Sequence, residues 1–148
     1  METGGKRCII IAINQFIMKT KTIKQGGMFI ASPAKVYKAL MDSKLHSKFT
    51  GEAAKISKKV GGKFSAYGGY IWGKNLVLQP GKKIVQEWYA KDMPKGHKTE
   101  ITILLKKAAK GTKLMFTHKN VPAWDYKDKV AGWKKFYWVP LKKFLEKK

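Results

Sequence analysis

The stretch KTEITILLKK, residues 98–107, alternates regularly enough to fix its conformation. Thr99, Ile101, Ile103 and Leu105 fall on one side of an extended chain, and Lys98, Glu100 and Lys106 on the other. After a turn at AAKGTK the pattern resumes, with Leu114, Phe116 and His118 on one face and Lys113 and Lys119 opposite. Two such strands make a sheet with one wet face and one apolar face, and the apolar face has to be covered.

The cover is at the C-terminus, where GWKKFYWVPLKKFLEKK interleaves aromatics with lysines. At about 100° per residue, Tyr126, Val130, Trp133, Tyr137, Leu141 and Phe144 form one stripe. Lys135, Lys142 and Lys143 lie well outside it, as do Phe136 and Val139, and Lys134 sits at its edge. Pro140 has no backbone N–H, so a kink, or an end to the first half of the helix near Trp138, is expected.

Upstream, IKQGGMFIA reads as a strand that stops at SPAKVYKALMD. Ser32 is placed to cap a helix with Pro33 in its first turn, and Val36, Tyr37, Ala39 and Leu40 give that helix an apolar face. A second short helix covers Lys44 to Phe49. Glycine pairs and QPGKK then punctuate β-rich runs, including Tyr70–Leu78 and Lys83–Ala90, which read as an antiparallel meander. The fold class is α+β.

Net charge is the unusual quantity, +23 at pH 7, and Arg7 is the only arginine. Lysine is a hydrated point charge, whereas base readout relies on the bidentate fork of arginine, so sequence-specific nucleic-acid recognition is not expected. Non-specific attraction to polyanions is expected at low salt. Cys8 is the single cysteine, which rules out an intramolecular disulfide and a cysteine-built zinc site and suits a reducing cytoplasm. The early apolar run is broken by Asn14 and Gln15, lacks a cleavage pattern and is too short to span a bilayer. Residues 1–17 are read as an N-terminal extension and 18–148 as one domain, expected to be a monomer.

Three blocks carry a resemblance: ASPAKVYKALMDSKLHSKFTGEAAKISKKVGGKFSAYGGYIWGKNLVLQPGKKIVQEWY, then GTKLMFTHKNVP, then GWKKFYWVPLKKFL. In this order they resemble the domain named for the activator of heat-shock protein 90 ATPase homologue, within the START-like (SRPBCC) superfamily, over about residues 18–147. The resemblance implies a helix-grip fold: a curved antiparallel sheet wrapped around a long C-terminal helix, with two short helices after the first strand. It does not imply a single function, since members act as co-chaperone modules or as binders of small apolar molecules. Full co-chaperones of this name carry a separate N-terminal domain, for which residues 1–17 are too few.

No catalytic set is legible. His46, His97 and His118 have no metal-ligand spacing, and Glu87 and Glu100 lie in adjacent strands among lysines, where they read as surface charges. GGKFSAYGGYIWG lacks the ending of a phosphate loop, and its glycines read as permitting bends in a curved sheet. The expectation is a non-enzymatic binding domain with no cofactor or metal. Trp72, Trp88, His118, Trp133 and Tyr137 are the candidates to line a space between helix and sheet for a small apolar or aromatic ligand; aromatics in these positions can equally fill it. The alternative is docking of an acidic protein partner, such as a chaperone, on the lysine-rich exterior.

Overall fold

In the computed structural model, residues 18–147 are described. The proposed extension, residues 1–17 with Cys8, lies outside them. Seven antiparallel strands form one sheet in the order β1-β7-β6-β5-β4-β3-β2. Their ranges are β1 Thr20–Phe29, β2 Lys55–Ile56, β3 Lys63–Ala66, β4 Ile71–Gln79, β5 Lys83–Ala90, β6 Thr99–Ala108 and β7 Gly111–Pro122.

Helices α1 (Pro33–Met41) and α2 (Ser43–Thr50) connect β1 to β2. Ser32 caps α1, its hydroxyl accepting from the Lys35 amide at 3.3 Å with Pro33 in the first turn. Asp42 ends α1 and starts α2, its carboxylate accepting from the Leu45 amide at 3.0 Å. One residue thus turns the chain between two helices, and Val36, Ala39 and Leu40 are buried beneath it.

The alternation is realised in the burial. Thr99, Ile101, Ile103 and Leu105 of β6 and Leu114, Phe116 and His118 of β7 all face inward. Gly73 of β4 answers to close packing: a Cβ there would come within 1.9 Å of the Glu87 carbonyl oxygen across the β4–β5 pair, so no other residue fits.

The covering helix runs from Tyr126 to Leu145 as α3 (Tyr126–Trp133), a π-helical turn (Lys134–Trp138) and α4 (Val139–Leu145). Trp133, Tyr137 and Leu141 are buried, and Phe136 and Val139 are about half exposed, as the stripe requires. Pro140 neither breaks the helix nor ends it at Trp138. The turn before it widens, the Val139 amide bonding the Lys134 carbonyl five residues back. Pro140 cannot donate to the Phe136 carbonyl; the Tyr67 hydroxyl, from the loop between β3 and β4, does so instead.

Candidate functional site

The helix is seated on the sheet by aromatic packing around Trp133. Its ring centroid lies 4.3 Å from Phe116, 4.8 Å from Tyr137 and 5.5 Å from Trp88. The polar atoms beneath are fully directed. Trp133 Nε1 donates to His118 Nδ1 at 3.0 Å, and since an indole nitrogen only donates, Nδ1 must be the acceptor. His118 Nε2 therefore carries the proton and gives it to Thr99 Oγ1 at 2.8 Å, whose hydroxyl donates to the Trp88 carbonyl at 2.6 Å. Burial, together with the charge of Lys129, pulls the His118 pKa down to about 3, so it is neutral.

A second histidine holds the other tautomer. His46 Nδ1 faces the Leu40 carbonyl at 3.0 Å and must donate, leaving Nε2 to accept from the Tyr137 hydroxyl at 3.1 Å. Burial lowers the His46 pKa and raises that of Tyr137 well above its ordinary value. Both rings are thereby committed to internal partners. On the other flank Gln25 of β1 accepts from Trp138 Nε1 at 2.6 Å and donates to the Val130 carbonyl at 3.0 Å.

The space left beneath the helix is about 30 Å³, enough for a water or two and far below the roughly 300 Å³ of a small-molecule site. The aromatics fill the interior. An open groove of about 670 Å³ lies beside it, with Trp88, Trp133 and Tyr137 on its floor and Tyr67, Tyr70 and Phe136 among its walls.

Of the five candidates, three thus meet at the groove. His118 lies beneath them with both ring nitrogens occupied. Trp72 departs from the expectation: it points to the outer face of the sheet, 40% exposed, and stacks on Tyr89 with ring centroids 5.8 Å apart. Ile71 and Trp72 are both apolar, and strand parity sends only one of them inward; Ile71 is the buried one.

One cluster escaped the sequence reading. Lys129 is buried at the end of the groove, its ammonium 2.6 Å from Asp92 and 2.8 Å from Asp125, with Asp128 at 3.9 Å. Burial pulls the Lys129 pKa down, but hydrogen bonds to Asp125 and Asp92 outweigh it and raise it. Asp92 is lowered: its desolvation is outweighed by hydrogen bonds from Lys129 and Tyr70. The i,i+4 pair of Asp125 and Lys129 was visible in the sequence. The loop that brings Asp92 was not. The three carboxylates approach closely enough to hold a cation, and the ammonium already sits among them.

Among the described residues no helix is long and apolar enough to cross a membrane. A family described as Activator of Hsp90 ATPase homolog 1-like protein matches residues 30–146. The chain is 33% identical over 117 residues to an activator of 90 kDa heat shock protein ATPase homolog from Dictyostelium discoideum, covering 78% of this chain and 30% of that protein. The chain spans about a third of the length of the curated relatives it matches. Among solved structures it is similar to an HSP90 activator from Plasmodium falciparum (TM-score 0.71, 25% identity, 78% of this chain and 89% of that one). It is also similar to the Aha1 dimer from Colwellia psychrerythraea, with a TM-score of 0.73, 27% identity, and coverage of 86% and 97%.

Proposed function

We propose, from the premise that this chain belongs to the Activator of Hsp90 ATPase homolog 1-like family, that it is a non-enzymatic binding domain that docks an acidic surface of a 90 kDa heat-shock chaperone. The observation that carries this reading is the filled interior: with about 30 Å³ beneath the helix, binding falls to the exterior, which bears most of the +23 net charge. The relatives are named as activators of that chaperone. The reading places the chain in the cytoplasm, as a monomer. It is tested by titrating a purified 90 kDa heat-shock chaperone into the labelled protein at low and moderate salt. Saturable binding that weakens steeply with salt is expected; absence of binding even at low salt refutes the proposal.

A second reading follows from the groove. Its volume of about 670 Å³ and its floor of Trp88, Trp133 and Tyr137 suit a small apolar or aromatic molecule. Lys135 at the same groove suits a weakly acidic head group. Aromatic acids should then raise the melting midpoint in high salt, where surface docking is screened. Stabilisation by polyanions alone, and only at low salt, counts against this second reading.

A further inference from the structure

We infer that the outer face of the sheet around Trp72 and Tyr89 is the surface on which the acidic partner docks, which rests on the chaperone-docking reading above. Residues paired across antiparallel strands point to the same face, so the register lays out the surface in rows. One row reads Lys55, Ser65, Trp72, Tyr89 across β2, β3, β4 and β5. The next reads Lys63, Lys74, Glu87, Glu100, Lys119 across β3 to β7. The stacked pair, its planes 10° apart, is thus an apolar step bordered by lysines.

Charge on this face is in excess and largely free. Glu87 is shared by Lys74 at 3.5 Å and Lys98 at 3.6 Å, leaving that trio positive. Lys55, Lys63 and Lys119 enter no ion pair among the described residues. An exposed tryptophan stacked on a tyrosine is also the kind of rigid anchor that interfaces use. The occupant that fits is an acidic protein surface that sets an apolar side chain on Trp72 and separate carboxylates on the surrounding lysines. A nucleic-acid strand fits less well: Glu87 and Glu100 face each other in the middle of the second row, where a continuous phosphate backbone would meet them. The described residues also contain no arginine to grip phosphate in bidentate fashion.

The test compares the full chain with Trp72→Ser, with the double variant Lys63→Glu/Lys74→Glu, and with Phe136→Ser on the opposite side of the molecule. The probes are a purified 90 kDa heat-shock chaperone, a glutamate-rich peptide with one central phenylalanine, and a thymidine oligonucleotide. Trp72 is exposed, so a cooperative melt of its variant confirms an intact fold. Both face variants should weaken chaperone binding by about tenfold or more, and Phe136→Ser should leave it within about twofold. The peptide should shift the Trp72 indole resonance and leave that of the buried Trp133 in place. Chaperone binding lost only in Phe136→Ser overturns this inference and leaves the docking reading standing. If the wild-type chain does not bind the chaperone, the docking reading fails, and an unmoved Trp72 resonance with the peptide then removes the face as well. An oligonucleotide that binds this face more tightly than the peptide overturns the choice of a protein partner.

Discussion

Lowering the pH from about 7 to about 5 should cost this fold about 2 kcal/mol through His118 alone. The ring accepts from Trp133 Nε1 and donates to Thr99, so an added proton would land on Nδ1 and face the indole N–H. Its folded pKa is about 3 against an ordinary 6.5. The unfolded chain therefore takes up the proton first, and stability is complete above about pH 6.5 and drains away as the pH falls towards 3. At pH 5 the drop is about 1.4 kcal/mol for each of the roughly 1.5 pH units below the unfolded pKa, hence about 2 kcal/mol, rising to about 3 kcal/mol at pH 4. Burial lowers the His46 pKa too, which adds a loss of the same sign. The assay is urea unfolding of the wild type and of His118→Gln at both pH values. Glutamine keeps an acceptor and a donor but does not titrate, so the variant should show a pH-dependent loss about 2 kcal/mol smaller than the wild type between pH 7 and 5. Equal losses in the two proteins, or an imidazole that titrates above about pH 5 by NMR, would refute the reasoning.

Trp133→Ala should destabilise by about 3–5 kcal/mol in urea unfolding, because it empties the centre of the aromatic packing and orphans His118 Nδ1; a change near zero would mean that the helix does not cover the sheet. Lys129→Met should cost about 3–5 kcal/mol by leaving Asp125 buried without its cation, and Asp125→Asn made in addition should recover part of the loss. Tyr67→Phe should cost about 1 kcal/mol by releasing the Phe136 carbonyl, checked by the shift in thermal midpoint. Removal of residues 1–17 should leave cooperative unfolding in place; non-cooperative melting of the truncated chain would make them part of the core.

The parts of this fold that could be read in advance are those governed by local periodicity. The alternation of β6 and β7 is enough to send His118 inward with Leu114 and Phe116. Ser32 before Pro33 announces α1, and the 100° stripe separates buried Tyr137 from exposed Phe136. Long-range partners are invisible to such patterns. Nothing near Lys129 in the chain mentions Asp92, and nothing near Pro140 mentions Tyr67. Strand parity rather than residue type decides Trp72: the neighbouring Ile71 takes the inward slot and the tryptophan goes to the outer face. The candidate site was legible as a collection of aromatics facing one another. Whether they enclose a space or fill it depends on volumes that only packing in three dimensions fixes.

The wide turn at Lys134–Trp138 gives this helix one place where its chain length can shorten without a change of phase. A π turn holds more residues than an α turn, so Trp133 and Leu141 keep a common side although the count between them differs from an ordinary helix. Losing a single residue there would let the turn close to an ordinary α turn and leave Leu141 facing the sheet, whereas the same loss within α3 would rotate everything downstream by about 100°. Where an insertion or deletion falls within this helix should therefore matter more than its size. A change past Leu145 leaves the phase intact, and so does loss of one residue inside the turn, whereas a change within α3 resets it for all of α4.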